Sequence, residues 1–228
     1  NFGFDCVDAI AEKYPEKLAM IHLDKNKTER RFTFLDMKKE SARCANYFLS
    51  LGIRKGDKVM LVLKRHYQFW FAMLALHKIG AIAIPATYQL REHDFVYRFN
   101  AAGVKAIVCT SDGDCAEIVD KVQPECPTLT LKVLVGGQRE GWKDFDSEYG
   151  LFKSSFRRTP DTPSGDDPAL MFFSSGTTGN PKMVEHKHTY GLGHFLTARY
   201  WHCCEPDGLH FTISDTGWGK SLWGKLYG

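Results

Sequence analysis

The densest chemistry in the sequence lies in nine residues, Ser174-Ser-Gly-Thr-Thr-Gly-Asn-Pro-Lys182. Ser174, Ser175, Thr177 and Thr178 bring four hydroxyl donors, and Lys182 brings one positive charge. Gly176 and Gly179 permit positive φ and let backbone amides approach an anion. Pro181 has a fixed φ and no amide hydrogen, so it restricts the chain just before the lysine. Donors plus one cation, placed directly after the apolar run Ala169–Phe173, suit a polyphosphate. A flexible Ser/Gly/Thr linker has the same composition, and the nine residues alone leave that reading open.

Neighbouring segments miss the common nucleotide-binding patterns. A Walker-type loop needs Gly-x-x-x-x-Gly-Lys followed by Ser or Thr; Gly219 to Leu226 comes nearest, but Leu226 has no hydroxyl and no clear strand precedes Gly219. Gly191-Leu-Gly193 and Gly217-Trp-Gly219 each lack the third glycine of a dinucleotide fingerprint. His186 and His188 would share one face of a strand, but no third ligand accompanies them, so structural or solvent-facing roles are expected. Cys203-Cys204 beside His202 also lacks a second ligand pair. Trp218 could pack in a core or wall a substrate channel, and both readings stand.

These residues need a scaffold, and the first 140 positions supply one. Leu18–Leu23 and Arg30–Phe34 read as strands, and Thr33 is placed to cap the helix that follows, whose apolar positions recur at helical spacing until Gly52. Asp5 is placed to cap an earlier helix ending near Lys13. Lys58–Leu63, Ala81–Ile84, Lys105–Thr110 and Leu129–Val135 are strands. They alternate with helices over Tyr67–Ile79, Glu92–Ala102 and Asp114–Val122. Short apolar runs alternating with helices of this length predict an α/β fold with a mostly parallel sheet flanked by helices. Phe69, Trp70, Phe71 and Leu74 are expected in its core. The predicted organisation is a first α/β portion over residues 1–152, a connector over 153–168 rich in Pro, Ser and charge, and a phosphate-loop strand with its following elements over 169–228.

Composition excludes several classes. The chain has 228 residues, 43% hydrophobic and 25% charged, the balance of a globular protein. Thirty basic residues face 27 acidic ones, in short scattered pairs, so no nucleic-acid partner is expected. The longest stretch free of Asp, Glu, Lys and Arg is the 14 residues Pro168–Pro181. That is short of the roughly 20 apolar residues of a transmembrane helix. Seven cysteines without a Cys-x-x-Cys fit reduced thiols in the cytoplasm. A start at Asn1 and a possible helix close to Gly228 suggest a piece cut from a longer chain.

The segment Ser174–Lys182 resembles the phosphate loop of the adenylate-forming superfamily, which includes acyl-CoA synthetases, luciferases and peptide-synthetase adenylation domains. Phe32-Thr-Phe34, Gly52-Ile-Arg-Lys-Gly-Asp-Lys-Val59 and Lys78-Ile-Gly-Ala-Ile-Ala-Ile-Pro85 resemble the opening of these enzymes. Met183-Val-Glu-His186 and Thr212-Ile-Ser-Asp-Thr-Gly-Trp218 are similar to the medium-chain acyl-CoA synthetase branch. The resemblance implies a ligase that joins a small carboxylic acid to CoA at the expense of ATP, through an acyl-adenylate, with Mg²⁺ assisting. It implies that Thr177, Thr178, Gly179 and Lys182 hold the β- and γ-phosphates, with Lys182 catalytic. Ser174, Ser175 and Gly176 would complete the loop, and Trp218 would lie near the acyl pocket. It also implies that the adenine, ribose and Mg²⁺ segments and the C-terminal lysine lie in a missing C-terminal part, so residues 1–228 alone should not catalyse the full reaction. A domain that loads a carrier protein and a non-catalytic nucleotide-binding fragment are the alternatives.

Overall fold

The computed structural model describes residues 1–175 and 179–228. A π-helical turn at Gly3–Asp8 runs into α1 (Ala9–Lys13). Asp5 does not cap this helix. Its carboxylate instead receives the Arg158 guanidinium. Two antiparallel strands, β1 (Leu18–Leu23) and β2 (Glu29–Thr33), form a separate hairpin. Thr33 then caps α2 (Phe34–Ser50) through a reciprocal box: its Oγ1 accepts from the Asp36 amide, and the Asp36 carboxylate accepts from the Thr33 amide.

The main sheet is built from β3 (Lys58–Val62), β4 (Ile82–Pro85), β5 (Ala106–Thr110), β6 (Leu131–Val135), the two-residue β7 (Lys143–Asp144), β8 (Pro168–Ser174) and β9 (Lys182–Lys187). Among the described residues their order is β7-β6-β5-β3-β4-β8-β9. Every neighbouring pair is parallel except β8 and β9, which form an antiparallel hairpin at one edge. The α/β architecture with a mostly parallel sheet is the one that the alternating pattern predicts.

Burial on both faces explains why these strands read as continuous apolar runs. Val59, Leu61, Ala83, Ala106, Val108, Val133 and Leu170 point to one face, where α2 and α3 (Gln68–Ile79) cover them. Met60, Val62, Ile84, Ile107, Leu134 and Met171 point to the other, beneath α4 (Glu92–Ala102) and α5 (Cys115–Val122). Helix α3 lies between the sheet and α2, so it is apolar on nearly all sides; Phe69, Phe71 and Leu74 are in the core and Trp70 is half-buried. Gly80 ends it in the left-handed conformation at φ 77°.

The parallel strands are joined by helical crossovers on both faces of the sheet. The chain moves one way from β3 to β4 across the first face, then back across the second face to β5 and on to β6. The strands β3 and β5 are therefore neighbours whose following helices lie on opposite faces. Such a topological switch opens a crevice at the carboxyl ends of the strands. After the short α6 (Phe145–Glu148), residues 152–167 carry no helix or strand. This segment is strapped to α2 by the Asn46 side chain, which donates to the carbonyls of Lys153 at 2.8 Å and Ser155 at 3.0 Å. It returns the chain to β8 on the far side of β4.

Candidate functional site

Strand β8 enters the sheet beside β4 through the Ala83–Leu170 pair. Its inner residues are buried, and its exposed last residue, Ser174, lies at the sheet's carboxyl end. The hairpin register pairs Ser174 with Lys182 and Phe173 with Met183, so residues 175–181 are the connection between β8 and β9. Gly179 has φ 82°, and a Cβ there would meet nothing within 4 Å. The demand on that position is therefore backbone conformation, not space. The Ser174 hydroxyl donates to the Lys182 carbonyl at 3.4 Å across the hairpin mouth. Ser175 and Lys182 are exposed, and among the described residues Lys182 enters no salt bridge. Gly176, Thr177 and Thr178 lie outside the described residues.

The rest of the rim comes from the ends of β3, β4 and β5. Lys64 adopts φ 44°, and its carbonyl accepts from the Thr216 hydroxyl at 2.6 Å. The Lys64 ammonium lies 4.7 Å from the Tyr88 ring centroid. Across the crevice between β3 and β5, His66 Nε2 and the Thr110 hydroxyl are 2.7 Å apart, and burial pushes the His66 pKa below the usual imidazole value. The neutral ring is thus the form this position favours.

Residues 214–217 lie over this rim. Gly217 rests on the backbone of Ala86 and Thr87: a Cβ would fall 2.2 Å from the Thr87 nitrogen. Asp215 accepts the Gly217 amide at 2.9 Å. Burial raises its carboxyl pKa, against the opposing pull of that hydrogen bond, Arg65 and Lys64. Trp218 follows with its side chain outside the core, 60% exposed, while its carbonyl accepts from the Ser221 amide and hydroxyl at the start of α7 (Gly219–Lys225). Core packing within this chain does not account for the ring.

His186, on β9, meets Phe172 edge-on at 5.9 Å and Tyr190 at a tilt at 4.1 Å, whereas His188, just past the strand, is buried 5.4 Å from the His77 ring. Among the described residues no group of three or more His, Cys, Asp or Glu could hold a metal. The sequence reading missed Lys64, His66, Asp215 and Tyr97, whose hydroxyl donates to the Pro181 carbonyl just before Lys182. A basic pair followed by histidine, directly after the run ending at Leu63, was a usable signal for the first two. Tyr97 had none, because its partner is 84 positions away.

The arrangement combines an exposed ammonium, small hydroxyl side chains and a glycine-bearing turn at the carboxyl edge of a parallel sheet, a combination suited to anions. Comparison with known proteins places it among specific relatives. An acyl-coenzyme A synthetase, ACSM5, mitochondrial, of Mus musculus is 36% identical over 231 residues, covering 98% of this chain and 39% of its own length. ACSM3 of Pongo abelii is 32% identical and covers 100% of this chain and 39% of its own length. The chain thus spans about two fifths of the curated relatives it matches. Among solved structures, the acyl-CoA synthetase of Brucella canis superposes on 100% of the chain with a TM-score of 0.84 at 23% identity, over 41% of that protein. The anthranilate CoA ligase AuaEII, in complex with anthranoyl-AMP, covers 86% of the chain and 36% of its own, with a TM-score of 0.72 and 23% identity. At that identity these two speak for the fold. The family model of the AMP-binding enzyme spans residues 7–219 and so takes in the sheet, the loop and the rim together; this chain belongs to the AMP-binding enzyme family.

Proposed function

We propose that residues 1–228 form the ATP-phosphate side of a carboxylic acid–CoA ligase that converts acid, ATP and CoA to acyl-CoA, AMP and pyrophosphate. The observation that carries this reading is the β8–β9 hairpin, whose connection leaves the carboxyl end of a parallel strand and closes on the exposed Lys182, which enters no salt bridge among the described residues. In the first half-reaction a carboxylate oxygen attacks the α-phosphorus, and the bond to the bridging oxygen breaks as pyrophosphate departs. In the second, the CoA thiol attacks the acyl carbon and AMP leaves. The ammonium of Lys182 answers the charge that builds on pyrophosphate, and preorganised donors in the loop do so without reorganisation. Ser174, Ser175, Gly176, Thr177, Thr178 and Gly179 line the phosphates in this assignment, and Trp218 borders the acyl pocket.

Mg²⁺ would arrive on the ATP phosphates. Among the described residues no group of three or more His, Cys, Asp or Glu could hold it directly. A medium-chain acid is the proposed substrate, on the resemblance of Met183–His186 and Thr212–Trp218. CoA is preferred over a carrier protein as acceptor, which the names of the curated relatives support. With only the phosphate side of the nucleotide site assigned to it, the isolated chain is expected to bind MgATP weakly and to be inactive; calorimetry on residues 1–228 checks this, and tight binding would contradict it. Seven unpaired cysteines support a reducing compartment, and we propose the cytoplasm. Cell fractionation tests that against the mitochondrial location given in the relatives' names. The function itself is tested by acid-dependent exchange of labelled pyrophosphate into ATP, across acids of increasing chain length, followed by transfer to CoA or to a carrier protein. Exchange without transfer to CoA would favour the carrier-loading alternative, and no exchange would remove the ligase assignment.

A further inference from the structure

One turn of α4 holds both stems of the β8–β9 connection. On the outgoing stem, the Tyr97 hydroxyl donates to the Pro181 carbonyl at 2.8 Å, one residue before Lys182. On the incoming stem, the Tyr97 ring meets Phe173 edge-on with centroids 6.1 Å apart. The Arg98 guanidinium lies over the same Phe173 ring at 5.3 Å. Arg98 is itself held by Asp94, through Nη1 to the carboxylate at 2.9 Å and to the carbonyl at 3.2 Å. The helix beneath them is fixed to the sheet by Phe95 and Phe99, both fully buried.

Ser175, Gly179 and Asn180 carry little apolar surface, so the contacts at Phe173 and Pro181 are where α4 holds this edge hairpin. Charge stabilisation at a departing group depends on the cation being held within about 0.5 Å of its working place. Tyr97 and Arg98 are consecutive, about 100° apart around the helix, which lets one turn reach both sides of the hairpin mouth. We propose that Tyr97 is a positioning residue for Lys182: its hydrogen bond to Pro181 sets the backbone from which the lysine extends. This inference rests on the phosphate role proposed for the hairpin.

The test uses the full-length polypeptide that carries these residues. Tyr97→Phe keeps the ring on Phe173 and removes the hydroxyl alone. It should lower kcat/KM for ATP in pyrophosphate exchange by about three- to tenfold, the span expected for one hydrogen bond. The KM for the carboxylic acid and the rate of CoA attack on supplied acyl-adenylate should stay unchanged. Amide hydrogen exchange should accelerate in the peptide spanning 175–182 and nowhere else. A merely structural role would slow both half-reactions together and lower the melting temperature. That result, or a loss in ATP kcat/KM below about twofold, would overturn the proposal. Lys182→Ala in the same assay separates the two claims. If it slows exchange while Tyr97→Phe does not, the positioning role alone falls; if it changes nothing, the phosphate reading falls and takes this inference with it.

Discussion

Gly217 packs against bare backbone. Its own amide is fixed to Asp215 and its α-carbon faces Ala86 and Thr87, so a methyl group has no flexible side chain to push aside. Gly217→Ala should destabilise the chain by about 1–3 kcal/mol, the usual range for overpacking, read as a lowered denaturant midpoint. An unchanged midpoint would mean that the 214–217 segment is free to lift from the rim. At this scale the sequence was informative where chemistry clustered locally. Ser174 and Lys182 are close in the chain and were found together. Tyr97 acts through a partner 84 positions away, and no local pattern marks such a pair.

Between elements, the most demanding contact is a buried ion pair. Lys78 on α3 reaches Asp8 in the N-terminal helix at 2.9 Å and the Ser41 hydroxyl on α2 at 2.8 Å, with both charged side chains almost fully buried. Burial lowers the Lys78 pKa and raises that of Asp8, each against the pull of its partner. Lys78→Met should cost about 3–5 kcal/mol, because it leaves a buried carboxylate without its direct partner. Adding Asp8→Asn should recover part of that loss in the same denaturation experiment. Periodicity made the helices and the doubly covered strands legible, since each buried face repeats its signal over several residues. It could not foretell β7, which has two residues, or the π-helical turn at Gly3–Asp8 that replaces the expected cap by Asp5. Nor did it show that β9 reverses direction at the sheet edge.

For the whole molecule, buried histidines link stability to pH. Burial, with the nearby His188, lowers the His77 pKa to about 3. Burial lowers that of His188 to about 4, against the opposing influence of Asp167 and Asp5. Above the ordinary imidazole value of about 6.5 both rings are neutral whether folded or not. Below it the unfolded chain takes up protons that the folded chain refuses, so stability should be flat above about pH 7 and fall as pH drops from 6.5 toward 4. Urea titrations across that window check it, with His77→Gln giving a shallower decline; a pH-independent midpoint would contradict the burial of these rings.

The central claim concerns Lys182 in the full-length polypeptide, and its two proposed half-reactions can be measured separately. Lys182→Ala should slow acid-dependent pyrophosphate exchange by about 10²–10³, the cost of removing one preorganised charge-stabilising group. Attack of CoA on supplied acyl-adenylate should be nearly unaffected, because pyrophosphate has already left. Equal loss in both half-reactions would contradict the account, since it would mean that Lys182 supports the hairpin and not the departing phosphates.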